Sequence, residues 1–151
     1  MTETSPLKQR IQADVISAMK AKEQARLGTL RMLQAALKQK EVDERVTLTD
    51  QDILAILQKM IKQRQDALEQ FTAGNRPDLA QKEQSEMDLL SAYLPTPLTD
   101  SEIAALIDEA IKSTQAKGMQ DMGKVMGLLK NKLQGRADMG KVSQQIKSRL
   151  S

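Results

Sequence analysis

Apolar residues recur at intervals of three and four along almost the whole chain, and no stretch alternates with a period of two. That spacing belongs to amphipathic helices, so the sequence predicts an all-α protein. Ser5 followed by Pro6 is a helix start, a cap and then a proline at the first helical position. Leu7, Ile11, Val15, Ala18 and Met19 supply the apolar stripe behind it; Leu27, Leu30, Leu33, Ala36 and Leu37 supply the next. No strong breaker lies between Lys20 and Ala25, so residues 6–41 read equally as one long helix or a tight helical hairpin. Thr49, with Asp52 three residues on, is a variant of the capping box. The helix it opens should bury Ile53, Ile56, Leu57, Met60, Ile61, Leu68 and Phe71, with Gly74 as its stop. Pro77 starts another, with Leu79, Glu83, Met87, Leu90 and Leu94 along one side.

Pro95-Thr96-Pro97 then sets two prolines in three residues, which ends the helix in a stiff, extended turn. The domain boundary is placed there. An N-terminal helical domain, residues 1–94, precedes a small three-helix C-terminal domain, residues 95–151. Thr99 and Glu102 form a capping box. The helix behind it should bury Ile103, Leu106, Ile107, Ala110 and Ile111 and stop near Gly118. Two short helices follow Asp121 and Asp138, each acid placed as an N-cap.

Those last two helices are copies of one another. Asp121-Met122-Gly123-Lys124-Val125 recurs as Asp138-Met139-Gly140-Lys141-Val142, and Lys130 and Leu133 match Lys147 and Leu150. The joint Gln134-Gly135-Arg136-Ala137 suits a tight turn with Gly135 in the left-handed conformation. On a helical wheel, Met122, Val125, Met126, Leu129 and Leu133 make an apolar stripe, with Lys124, Lys130 and Lys132 outside or flanking it. Gly123, Gly127 and Gly140 are candidate sites of close backbone approach, by a neighbouring helix or by a ligand.

Charge sharpens this picture. The net charge is only +3, but residues 110–151 carry nine Lys or Arg against two acids. Such an end is either a solvated surface or a place for polyanions. The candidate phosphate contacts are Lys124, Lys130, Lys132, Arg136, Lys141, Lys147 and Arg149. Smaller basic patches, Arg31, Lys38 and Lys40 with Lys59, Lys62 and Arg64, read as solvated faces balanced by Glu41, Asp66 and Glu69. Recognition by base stacking is excluded in practice, because Phe71 and Tyr93 are the only aromatic residues.

Composition removes most chemistry. The chain has no Cys and no His, hence no thiolate, no imidazole base or metal ligand, and no Ser-His-Asp triad. The carboxylate pairs Asp50/Asp52 and Glu83/Glu86 have no nearby Arg, His or nucleophile in sequence to define a pocket, and neither glycine fingerprint for nucleotides is present. No catalytic residue, metal or cofactor is therefore expected. No apolar run is long enough to span a membrane, and the first six residues lack a signal-peptide pattern, so the expected location is cytoplasmic.

Leu30-Arg31-Met32-Leu33, Lys62-Gln63-Arg64, Gly74-Asn75-Arg76-Pro77-Asp78-Leu79-Ala80, Tyr93-Leu94-Pro95 and the repeated Asp-Met-Gly-Lys-Val resemble the YqeY branch of the GatB/YqeY family. The resemblance covers nearly the whole chain, departing locally at Asn75. It implies an N-terminal helical domain and a tail domain similar to that of the GatB component of the tRNA-dependent amidotransferase, where the tail contacts tRNA. It also implies kinship with carbon–nitrogen ligases that use glutamine as amido donor, although nothing in this chain matches their catalytic domain. The partner expected on this basis is tRNA or another RNA, with a protein partner as the alternative.

Overall fold

The computed structural model describes residues 5–151. Residues 1–4, part of the stretch read above as lacking a signal peptide, lie outside the described residues. The protein is all-α: no strand occurs among the described residues. The helices are α1 (Pro6–Lys20), α2 (Gln24–Glu44), α3 (Asp50–Ala73), α4 (Pro77–Ser91), α5 (Asp100–Thr114), α6 (Met122–Leu133) and α7 (Met139–Leu150). A 3₁₀ turn, Met119–Asp121, precedes α6. The chain divides into two compact units, Met1–Leu94 and Pro95–Ser151, each with its own apolar core.

Residues 6–41 form two helices. Lys22 takes a left-handed conformation, φ 58°, and the Glu23 amide reaches back to the Ala18 carbonyl at 3.0 Å, closing the end of α1 without a glycine or proline. At the other end of α1, Ser5 caps the Lys8 amide, and its hydroxyl donates to the Asp50 carboxylate at the start of α3. The Leu7 amide donates to the same carboxylate at 3.3 Å, so one acid ties two helix starts together. Ile11, Val15, Ala18, Leu27, Leu30, Leu33 and Leu37 are buried as their spacing predicts. Met19 is not: it is 51% exposed and belongs to the outer face of α1.

The Thr49–Asp52 capping box is fully formed. α3 stops where expected, with Gly74 as its C-cap, but Gly74 keeps a negative φ and Asn75 supplies the left-handed step, φ 58°. Asparagine tolerates that conformation better than most residues, so the local departure noted at Asn75 sits where the turn needs it. The burial expected for the second half of α3 is also incomplete, since Leu68 and Phe71 are only half-buried. On α4 the fully buried residues are Glu86 and Leu90. Glu86 faces Arg64 of α3, Nε to Oε2 3.8 Å, with the two side chains 13% and 12% exposed. Arg64 therefore leaves the solvated patch assigned to it, and Glu86 is an inward partner of a guanidinium rather than half of a carboxylate pair with Glu83.

Tyr93 closes this unit. Its hydroxyl donates to Asp14 at 2.5 Å, the Arg10 guanidinium lies 4.7 Å from the ring centre, and Arg10 also donates to the Ala92 carbonyl. Burial first, and then the Asp14 carboxylate, push the phenol well above its ordinary range, so it stays a donor.

Candidate nucleic-acid interface

The second unit is built on Ile103, Ile107, Ala110, Val125, Leu129, Leu133, Val142, Ile146 and Leu150. The repeat therefore delivers the same three positions of α6 and of α7 to one core. Gly135, φ 82°, makes the left-handed turn between them as its position predicts. The turn is held from outside by residues 96–98: the Leu98 amide donates to the Arg136 carbonyl at 2.9 Å, and Arg136 Nε donates to the Thr96 carbonyl at 3.0 Å.

Two local details depart from the sequence reading. Helix α5 ends at Thr114 on a left-handed Gln115, φ 55°, and not at Gly118. Asp121 does not cap α6; its carboxylate instead accepts from the Lys117 amide at 2.9 Å and closes the preceding loop. Asp138 does cap α7, accepting from the Gly140 and Lys141 amides. Matching residues thus do different work, because α6 is entered from a 3₁₀ turn and α7 from an extended residue.

The seven candidate cations fall into two groups. Lys130, Lys132, Lys141 and Lys147 are exposed, and no ion pair engages them among the described residues. Lys124 is 71% exposed at the side chain and has only a long pair with Asp121, 4.0 Å. The two arginines are committed within the unit. Arg136 holds the joint as described and is half-buried. Arg149 reaches α5, donating to the Ala104 carbonyl at 3.1 Å and to the Asp108 carboxylate. The spacing of basic residues in sequence could not separate these groups, because the separation depends on which acids and carbonyls α5 brings alongside.

The lysines do not converge. Measured from the apolar stripe at about 100° per residue, Lys124 projects roughly opposite the core, Lys130 about 100° to one side and Lys132 about 60° to the other. Lys141 and Lys147 repeat the first two directions on α7. A set splayed this way suits successive phosphates of an extended backbone better than a single phosphate group. The acids of the unit lie mainly elsewhere, with Asp100, Glu102, Asp108 and Glu109 all on α5. Hydrogen bonds from the Thr99 amide and hydroxyl hold the Glu102 carboxyl below the usual carboxylate range, with a small further contribution from Arg136.

The glycines are open. Gly123, Gly127 and Gly140 are all exposed, and a Cβ built at Gly123 or Gly127 would meet nothing within 4 Å. At Gly140 it would meet the Asp138 carboxylate at 3.2 Å, part of the cap itself. Among the described residues of this unit, no helix packs into the notch at Gly123 and Gly127. Among the described residues no cluster of three acids, His or Cys could hold a metal, and no helix is long and apolar enough to cross a membrane.

The chain is 34% identical over 130 residues to "Altered inheritance of mitochondria protein 41, mitochondrial" of Pyrenophora tritici-repentis, a match covering 84% of this chain and 71% of that protein. The proteins of the same name from Eremothecium gossypii and Lachancea thermotolerans are 37% and 32% identical over 69% and 76% of this chain. The matches cover 60% and 65% of those two proteins, so the chain spans less than two thirds of either. Their names place those relatives in mitochondria. The model of the YqeY-like protein family matches residues 8–150, from the first turn of α1 to the last residue of α7, and the chain accordingly belongs to that family.

Proposed function

We propose that this protein is a non-catalytic accessory factor that holds tRNA, or another structured RNA, through the phosphate backbone against its α6–α7 hairpin. The observation that carries this reading is the set of lysines left exposed there: Lys130, Lys132, Lys141 and Lys147 without ion-pair partners, and Lys124 with only a distant one. The resemblance of the second unit to an amidotransferase tail motivates the choice of tRNA. Arg136 and Arg149 are left out of the primary contact set because each already donates hydrogen bonds within the unit. The compartment that fits is one where tRNA is handled: the cytoplasm, or the mitochondrial interior if the fungal relatives' location carries over.

The test is a titration of the purified chain with bulk tRNA at low and physiological salt. Beside it runs a variant carrying Lys124→Ala, Lys130→Ala, Lys132→Ala, Lys141→Ala and Lys147→Ala. If four or five phosphates are engaged, the log–log salt slope is about −3 to −4.5. The variant should bind far more weakly and with a much shallower slope. Unchanged binding by the variant, or none by either protein at low salt, rejects the proposal.

A second reading, docking of a partner helix, is favoured by the open notch at Gly123 and Gly127, with Leu128 of the same helix 42% exposed. A stoichiometric protein partner that survives nuclease treatment and is lost on Gly127→Leu would support it over RNA binding.

A further inference from the structure

The first unit contains a region built differently from the rest. Fully buried residues of α3 end at Met60, and those of α4 begin at Glu86. Between them, residues 61–85 include no fully buried residue, although almost all of them are helical. The arm runs about 20 Å from Met60 to Ala73 and returns along α4. Its seam consists of half-buried residues, among them Leu68, Phe71, Leu79 and Ala80. Its polar links run along the chain and not across the seam: Gln65 to Glu69, Thr72 to the Leu68 carbonyl, Arg76 to Asp78.

Among the described residues, the ion pair that crosses from α3 to α4 is Arg64–Glu86, at the base of this arm. It is a poor fastener. The separation of 3.8 Å is beyond hydrogen-bonding reach, and Arg64 Nε is buried with no acceptor. The other guanidinium nitrogens reach the Met60 carbonyl at 3.1 Å and Met32 Sδ at 3.8 Å. Burying two charges without a hydrogen bond between them recovers little of their desolvation cost, whereas removing one leaves the other uncompensated. Regions with few buried apolar groups open before the core does.

We infer that residues 61–85 form a separately opening arm, which unravels from its Gly74–Arg76 tip while the rest of the unit stays folded. The Arg64–Glu86 pair lies at the base of this arm and is broken when it opens. In the open state the arm would expose Leu68, Phe71 and Leu79 together, apolar surface that the closed unit half covers.

Native-state hydrogen exchange on the full chain, read by mass spectrometry at peptide resolution, tests this. Amides of residues 65–85 should be protected at least tenfold less than those of residues 27–37 and 53–60. Glu86→Ala should lower arm protection by at least a further tenfold, leaving residues 27–37 and the 103–150 region as they were. Should Glu86→Ala fail to fold, Glu86→Gln keeps the volume and removes the charge, and its loss should be confined to the arm in the same way. Arm amides as protected as residues 53–60 would overturn the inference. So would a Glu86→Gln effect spread evenly over the whole first unit, since the arm would then belong to a single cooperative core. Neither outcome depends on RNA binding.

Discussion

Helices α6 and α7 each follow an aspartate, begin with the same four residues and bury the same three positions, yet they are held in place by different means. On α7, Asp138 caps the helix and Arg149 clamps it to α5. On α6, Asp121 closes the loop before the helix, and Lys132, at the position equivalent to Arg149, is exposed. Burial followed the repeat because it depends on helical periodicity, which both copies share. The polar contacts did not follow it, because they depend on neighbours that the two copies do not share. A repeated motif therefore predicts a repeated core more safely than a repeated function for each polar residue.

Substitutions at matched positions sharpen this contrast, and the largest effects belong to the shared core. Leu129→Ala and Ile146→Ala should each destabilise by about 2–5 kcal/mol in denaturant unfolding, with similar losses. One copy tolerating the change would show that the two helices are not equivalent even inside. Arg149→Ala should cost about 1–2 kcal/mol through its bonds to Ala104 and Asp108, whereas Lys132→Ala should stay within about 0.5 kcal/mol. Equal effects at the two sites would remove the distinction between clamp and free cation. Asp138→Ala should lose about 1 kcal/mol of cap stabilisation, with smaller fraying of α6 on Asp121→Ala, as read by helix content and amide exchange.

The glycines give a smaller effect of opposite sign. Gly127→Ala should stabilise the unit by about 0.5–1 kcal/mol, because the position is helical and its surroundings are open. Gly140→Ala should gain less, since the new methyl presses on the Asp138 cap. A stabilised Gly127→Ala protein that loses a binding partner would identify the notch as a contact. The mildest test uses acid. Glu102 has a folded pKa lowered by its bonds to Thr99, so its contribution to the α5 start is complete above an unfolded value of about 4.3. It fades as pH falls through the lower folded value. NMR titration of Glu102 should show this depression, and Thr99→Ala should lessen it without abolishing it, because the hydroxyl bond is lost while the residue 99 amide still donates.

Much of this was legible beforehand. The helix starts at Ser5-Pro6, Thr49, Pro77 and Thr99, the left-handed Gly135 and the core positions of α6 and α7 are all local or periodic signals. The helix ends were harder to read, because Lys22, Asn75 and Gln115 adopt left-handed conformations that glycine would have announced. The inward turn of Glu86 was hidden as well. A glutamate on an amphipathic helix reads as solvated unless one knows that Arg64 lies across the seam. The seven candidate cations looked alike in sequence, and the acids and carbonyls beside them divided them into two committed arginines and five available lysines.

By itself the sequence determined that the chain is helical, where most helices begin, which residues carry the core of the repeat, and that cysteine and histidine chemistry is absent. These properties reside in backbone propensity, in a period close to 3.6 residues, and in composition, none of which needs a neighbour from another helix. Only the tertiary structure decided which charges are spent and which remain available, where α1 ends and α2 begins, and that α3 and α4 run on beyond the core as a thinly buried arm. Those outcomes depend on distances between residues far apart in the chain, from Arg64 to Glu86 and from Arg149 to Asp108, which no local pattern encodes.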